Sequence, residues 1–168
     1  MDLKLSQPTA ARLRKGAAAC ATGAAALLVM LPPAQAKDGR LEGVWRATRH
    51  GVNCATGEVL STFPAIMSFA RGGSLTGYAV GPGSTPAMGS PDFGTWKRES
   101  GSGNFSFRFI AYTYDATGAY TGSTQVDATL VLAGDAQSFT YQGTVSFFDA
   151  ADNPLFSVCG KASATRFD

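Results

Sequence analysis

Phe105-Ser106-Phe107-Arg108-Phe109-Ile110-Ala111-Tyr112 carries an apolar residue at every second position. That period belongs to a strand, because successive side chains of an extended backbone point to opposite sides. A helix would turn Phe107 to the side opposite Phe105 and Phe109. One face of this strand is Phe and Ala; the other is Ser, Arg, Ile and Tyr. The stretch therefore predicts a sheet with two unlike faces.

The neighbouring segments read the same way. Val126, Ala128, Leu130 and Leu132 share one parity within 119–132. Phe139, Tyr141, Gly143, Val145 and Phe147 share one in the next segment. In 155–167, Phe156, Val158, Gly160, Ala162 and Ala164 alternate with Ser157, Cys159, Lys161, Ser163 and Thr165. Toward the N-terminus come 93–99 around Trp96, then 75–80, 63–70, and a first strand with Leu41, Gly43, Trp45 and Ala47 on one parity. That makes eight strands.

The links are short. Residues 115–118, 133–136 and 149–154 hold Asp, Asn, Gly or Pro at turn positions. In Arg71-Gly72-Gly73-Ser74 the glycines suit the positive φ of a tight hairpin. Only 81–92 is long, and it is rich in Gly and Pro, with too little apolar content for a crossover helix. Links of this kind force sequential antiparallel neighbours, a meander that loses its edges by closing into a barrel.

Cys54 follows the first strand and Cys159 lies in the eighth. An even pair in an exported domain predicts a disulfide. Closing a loop of about 100 residues stabilises by roughly 4–5 kcal/mol in the chain-entropy account. The bond needs Cα atoms within about 7 Å, whereas the ends of an open eight-stranded meander lie roughly 33 Å apart. The expectation is a single closed antiparallel eight-stranded up-and-down β-barrel; a two-sheet β-sandwich is the alternative that also brings the ends together.

Residues 1–36 read as something else. Lys4, Arg12, Arg14 and Lys15 face a single acid, Asp2; an Ala-rich apolar run over 17–31 follows, then Pro32-Pro33 and the small-x-small site Ala34-Gln35-Ala36. This is the order of a cleavable bacterial-type secretory leader, with cleavage after Ala36. The apolar run is short for a membrane span and is broken by Thr22 and Gly23, although an uncleaved anchor would share the pattern. Cys20 precedes the strongest apolar stretch, where a lipidated cysteine would follow it. The expected domain is 37–168, periplasmic or secreted, with no membrane span once the leader is removed.

The whole chain has a formal charge of +2, but the leader supplies the excess: residues 37–168 carry one more acid than base. No Lys/Arg cluster remains to neutralise a run of phosphates, which argues against a nucleic-acid partner. Charged residues make up 15% of the chain, against about 25% in an average domain. With 11 Phe among 168 residues, the chain has ample surface to bury.

Leu41-Glu42-Gly43-Val44-Trp45 resembles the Gly-x-Trp opening of the first strand in lipocalins and the wider calycin group. In that group a basic residue near the end of the last strand packs across the tryptophan, and Arg166 is the matching residue here. The resemblance implies that Trp45 and Arg166 are structural partners closing one end of a barrel. A second Gly-x-Trp occurs at Gly94-Thr95-Trp96. The calycin pattern also has a helix before the last strand and a Thr-Asp-Tyr-like triplet, and neither is found here. More remotely, 105–148 is similar to allene-oxide-cyclase-like and dirigent-like barrels. Those families bind apolar small molecules, and some members cyclise them or guide their coupling.

Candidate chemistry is sparse. His50 is the only histidine, next to Gly51 at the end of the first strand. No Gly-x-Ser-x-Gly elbow supports a hydrolase triad. Glu42, Glu58 and Glu99 form no local pair. Asp127 has the parity opposite to Val126 and Ala128, so it is expected to face solvent. Asp115, Asp135, Asp149 and Asp152 fall in turns, where capping explains them; a calcium site on Asp149, Asp152 and Asn153 lacks the ligand series of an EF-hand loop. No metal site and no cofactor are expected, and no catalytic residue is assigned.

The aromatics are the strongest functional material. Phe105, Phe107, Phe109, Phe139, Tyr141 and Phe147 are the candidate walls of a cavity for a small apolar ligand, with 81–92 long enough to serve as a lid. The same rings are bulky enough to fill a narrow barrel. Three functions follow: noncovalent binding of a small apolar molecule; a cyclase- or isomerase-like enzyme using Tyr141, His50 or Glu99 as acid or base; or an interaction module with a filled barrel. Arg108, Ile110, Tyr112 and Tyr114 on the outer face suggest a homo-oligomer contact.

Overall fold

A computed structural model describes residues 40–100 and 103–167. The expected leader, 1–36, lies outside the described residues. Eight strands follow in order: β1 Gly43–Val52, β2 Val59–Phe69, β3 Ser74–Ala79, β4 Asp92–Arg98, β5 Asn104–Tyr114, β6 Tyr120–Leu132, β7 Ser138–Asp149 and β8 Pro154–Arg166. Each pairs antiparallel with its sequence neighbours, and β8 returns to β1, so the sheet is a closed barrel. The sandwich alternative is thereby excluded. A single 3-10 turn, Pro86–Met88, interrupts the long link.

The parities read from the sequence set the register. Phe105, Phe107 and Phe109 point inward and are buried, opposite Leu130, Ala128 and Val126 of β6. Asp127 faces out, where it pairs with Arg108 directly across the strands. Both partners are mostly exposed, so this pair contributes little.

The β1–β8 seam is pinned at both ends of its ladder. At one end Trp45 stands opposite Arg166; at the other Val52 stands opposite Cys159, whose sulfur is bonded to Cys54 with the Cα atoms 5.1 Å apart. The guanidinium of Arg166 lies 4.2 Å from the Trp45 ring centre. Its Nε donates to the carbonyl of Ala136, Nη1 to that of Glu42 and Nη2 to that of Arg40. The Trp45 indole N–H donates to the Leu41 carbonyl. Gly43 is explained by the same contact: its φ is +132°, and a Cβ there would stand 2.6 Å from Arg166 Nη1. The Gly-x-Trp triplet thus has a steric cause in this chain.

The end of the barrel that Arg166 closes is solid. Trp45, Phe69 and Phe139 meet edge to face, with Phe139 4.8 Å from Trp45 and 5.9 Å from Phe69. Met67, Leu75 and Leu130 fill the gaps and are fully buried. Edge-to-face rings fit the quadrupole of aromatic faces and fill a tapering interior.

Candidate functional site

Packing stops about halfway along the barrel axis. Toward the end that carries the β3–β4 link the interior opens into a cavity of about 480 Å³, within the range of small-molecule sites. Its walls are mostly apolar: Phe63, Phe109, Val126, Val145, Phe147 and Val158. Residues of the 81–92 link form part of its rim. That link is tied down: Ser90 N donates to the Tyr112 carbonyl, Tyr112 N donates to Ser90 Oγ, and Tyr78 Oη donates to the Pro86 carbonyl.

The barrel divides the six aromatic candidates. Phe109, Tyr141 and Phe147 line the cavity. Phe105 and Phe139 lie in the solid half, with Phe105 against Trp96 and Phe139 against Trp45. Phe107 lies beneath, stacked on Phe109 at 6.1 Å and edge-on to Tyr141 at 5.1 Å. Phe147 stacks at 4.5 Å on Phe156, which is exposed at the rim. The split follows from height: residues of one parity on one strand face the same interior at different levels, and only the upper levels are open.

The base of the cavity holds a charged pair. Arg49 Nη2 donates to Asp92 Oδ2 at 2.6 Å, with both side chains more than 90% buried. The Arg49 guanidinium also lies 4.9 Å from the Phe109 ring centre. Its Nε–H is buried without a hydrogen-bond acceptor among the described residues. The position is built for the pair: Gly77 stands opposite Asp92 on β3, and a Cβ there would lie 2.7 Å from Asp92 Oδ2 and 3.4 Å from Arg49 Nη2. Beside the pair, Tyr141 is buried; loss of water raises its phenol pKa, Arg49 pulls it down and Asp92 adds to the rise.

Arg49 and Asp92 were not among the residues singled out from the sequence, yet the signal was present. Arg49 continues the inward parity of Gly43, Trp45 and Ala47. Asp92 continues that of Gly94 and Trp96 to the start of β4. A charge on an inward parity is the signature of a buried pair.

Of the other acid–base candidates, His50 is among the residues lining the cavity and Glu99 is not. The His50 ring Nδ1 is 2.9 Å from Thr62 Oγ1, on the outward parity of β1 near the rim. Glu99 accepts from Ser106 Oγ and pairs with Lys97, so its pKa falls; it is not among the cavity walls. Asp149 Oδ1 accepts from the backbone N–H groups of Ala151 and Asn153, and both its oxygens accept from the Asn153 amide; these bonds lower its pKa. The carboxylate that a calcium ion would need is thus engaged in capping its turn. Among the described residues no group of three His, Cys, Asp or Glu is placed to hold a metal, and no helix is long and apolar enough to cross a membrane. On the outer face, Tyr120 packs edge-on against Tyr112 and Tyr114.

No protein-family model matches the chain, and no curated protein matches its sequence.

Proposed function

We propose that this barrel binds a small, mostly apolar molecule noncovalently in the half-open interior, as an exported, calycin-like carrier or binding protein. The observation that carries the reading is the cavity of about 480 Å³ with apolar walls over a solid base. A concave apolar site with a few convergent polar groups is the usual form of a small-molecule pocket. The disulfide and the leader-like 1–36 support a location outside the cytoplasm. N-phenyl-1-naphthylamine, a neutral apolar fluorophore, tests it: the dye should brighten and shift to the blue with the parent protein. The cavity-filling variant Ala111→Trp should abolish the response while its melting remains cooperative. A dye that stays dark with the parent, or responds equally to the filled variant, removes the proposal.

A second reading has one observation in its favour. Tyr141, His50 and Asp92, side chains of the kinds that carry acid–base chemistry, are among the residues lining the void. A cyclase- or isomerase-like activity would leave a bound molecule with unchanged mass and altered chromatographic retention. Recovery of every bound compound unaltered would end this reading and leave the binding proposal standing.

A further inference from the structure

Resting on the reading of the cavity as a binding site, we infer that its occupant is a neutral molecule with an apolar body and one carbonyl-type oxygen, inserted oxygen first against Arg49 Nε–H and the Tyr141 hydroxyl.

The polar groups at the base define the head. Arg49 Nε–H is a charged donor, buried and without an acceptor. A buried donor left unpaired costs about as much as the water it has lost, so a ligand oxygen that accepts from it regains that cost. Tyr141 lies beside the same guanidinium, on the cavity wall, and can donate a second hydrogen bond. Both groups offer hydrogens, so the complementary atom is an acceptor. A carbonyl oxygen, with two lone pairs, can accept from both donors.

Charge decides between a neutral and an anionic head. The carboxylate of Asp92 already sits 2.6 Å from Arg49 Nη2. A carboxylate ligand would bring a second negative charge to the same cation, leaving a net negative charge beside a pair that is itself buried. A ketone, ester or amide oxygen takes the hydrogen bonds without adding charge. Phe63, Val126, Val145 and Phe147, on the walls above this layer, present apolar surface to the body of the ligand.

The test is competition against bound N-phenyl-1-naphthylamine by three matched compounds: butyrophenone, butylbenzene and 4-phenylbutyrate. By transfer from water alone butylbenzene should win, since it carries no polar atom. The inference requires the reverse: butyrophenone displaces the dye about tenfold more tightly than either of the others, the scale of a hydrogen bond to a charged group. In the double variant Arg49→Met, Asp92→Leu the order should invert in favour of butylbenzene. Tyr141→Phe should lower the ketone-to-hydrocarbon ratio several-fold, and because it removes a single oxygen it guards against misfolding of the double variant. If the dye binds but butylbenzene or 4-phenylbutyrate equals or exceeds butyrophenone, or the preference survives both variants, the head-group inference is overturned while the binding site stands. If neither the dye nor any of the three compounds binds, the proposed function fails first and takes the inference with it.

Discussion

Arg166 lies over Trp45: its guanidinium carbon is 4.2 Å from the ring centre, and its nitrogens donate to three backbone carbonyls, those of Ala136, Glu42 and Arg40. One side chain at the end of the last strand thereby ties together the start of the first strand and the turn before the seventh. Neither Arg166 nor Trp45 lines the cavity.

Arg166→Ala should therefore lower stability by roughly 2–4 kcal/mol, combining a desolvated cation–π contact with carbonyls that lose charged donors. Arg166→Lys should recover little of it, because an ammonium lacks the planar fork that reaches three acceptors. Urea unfolding measures this. Dye binding per folded molecule should be unaffected, and an unchanged unfolding midpoint for the Ala variant would refute the role.

The Arg49–Asp92 pair makes the opposite kind of prediction. Asp92→Leu alone should cost roughly 3–5 kcal/mol, because it leaves a charge buried without its partner, whereas combining it with Arg49→Met should bring stability back to within about 1–2 kcal/mol of the parent. Gly77→Ala should also destabilise, since its Cβ would meet Asp92 Oδ2 at 2.7 Å and the Ile66 carbonyl at 3.1 Å. A double-mutant cycle in denaturant reads the coupling; two single effects that simply add would mean that the groups are not paired.

Tyr141 predicts a pH dependence. Burial raises its phenol above the ordinary 10.0. The folded state then keeps the proton in a range where the unfolded chain has lost it. The associated stability is fully present below the unfolded value and is lost as pH rises through the folded one. Unfolding midpoints between about pH 8 and about pH 11 should fall for the parent and fall less for Tyr141→Phe. Parallel curves would show that another group is responsible.

Much of the fold was legible in the sequence because it rests on local rules. The alternation in 105–112 fixes which side chains face inward, and each short turn fixes an antiparallel neighbour. Closure followed from one long-range constraint, since Cys54 and Cys159 can bond only if the first and last strands meet. The partnership of Arg166 with Trp45 came from a resemblance rather than from periodicity, and the steric role of Gly43 emerged only when Arg166 was seen beside it.

The site was less legible, for a geometric reason. Parity tells which side of a sheet a residue takes, not how far along the barrel axis it sits. Phe105 and Phe109 are equivalent by parity, yet one is packed under Trp96 and the other walls a cavity. The difference arises from the stagger of eight strands, which no single strand encodes. Likewise Arg49 and Asp92 are 43 positions apart: parity marks each as an inward charge, but not which other inward charge it meets. What the sequence determined by itself was the alternation, the turns and the inward set. Tertiary structure alone decided which inward residues share a level, and therefore where the interior is filled, where it is open, and which charges meet at the boundary.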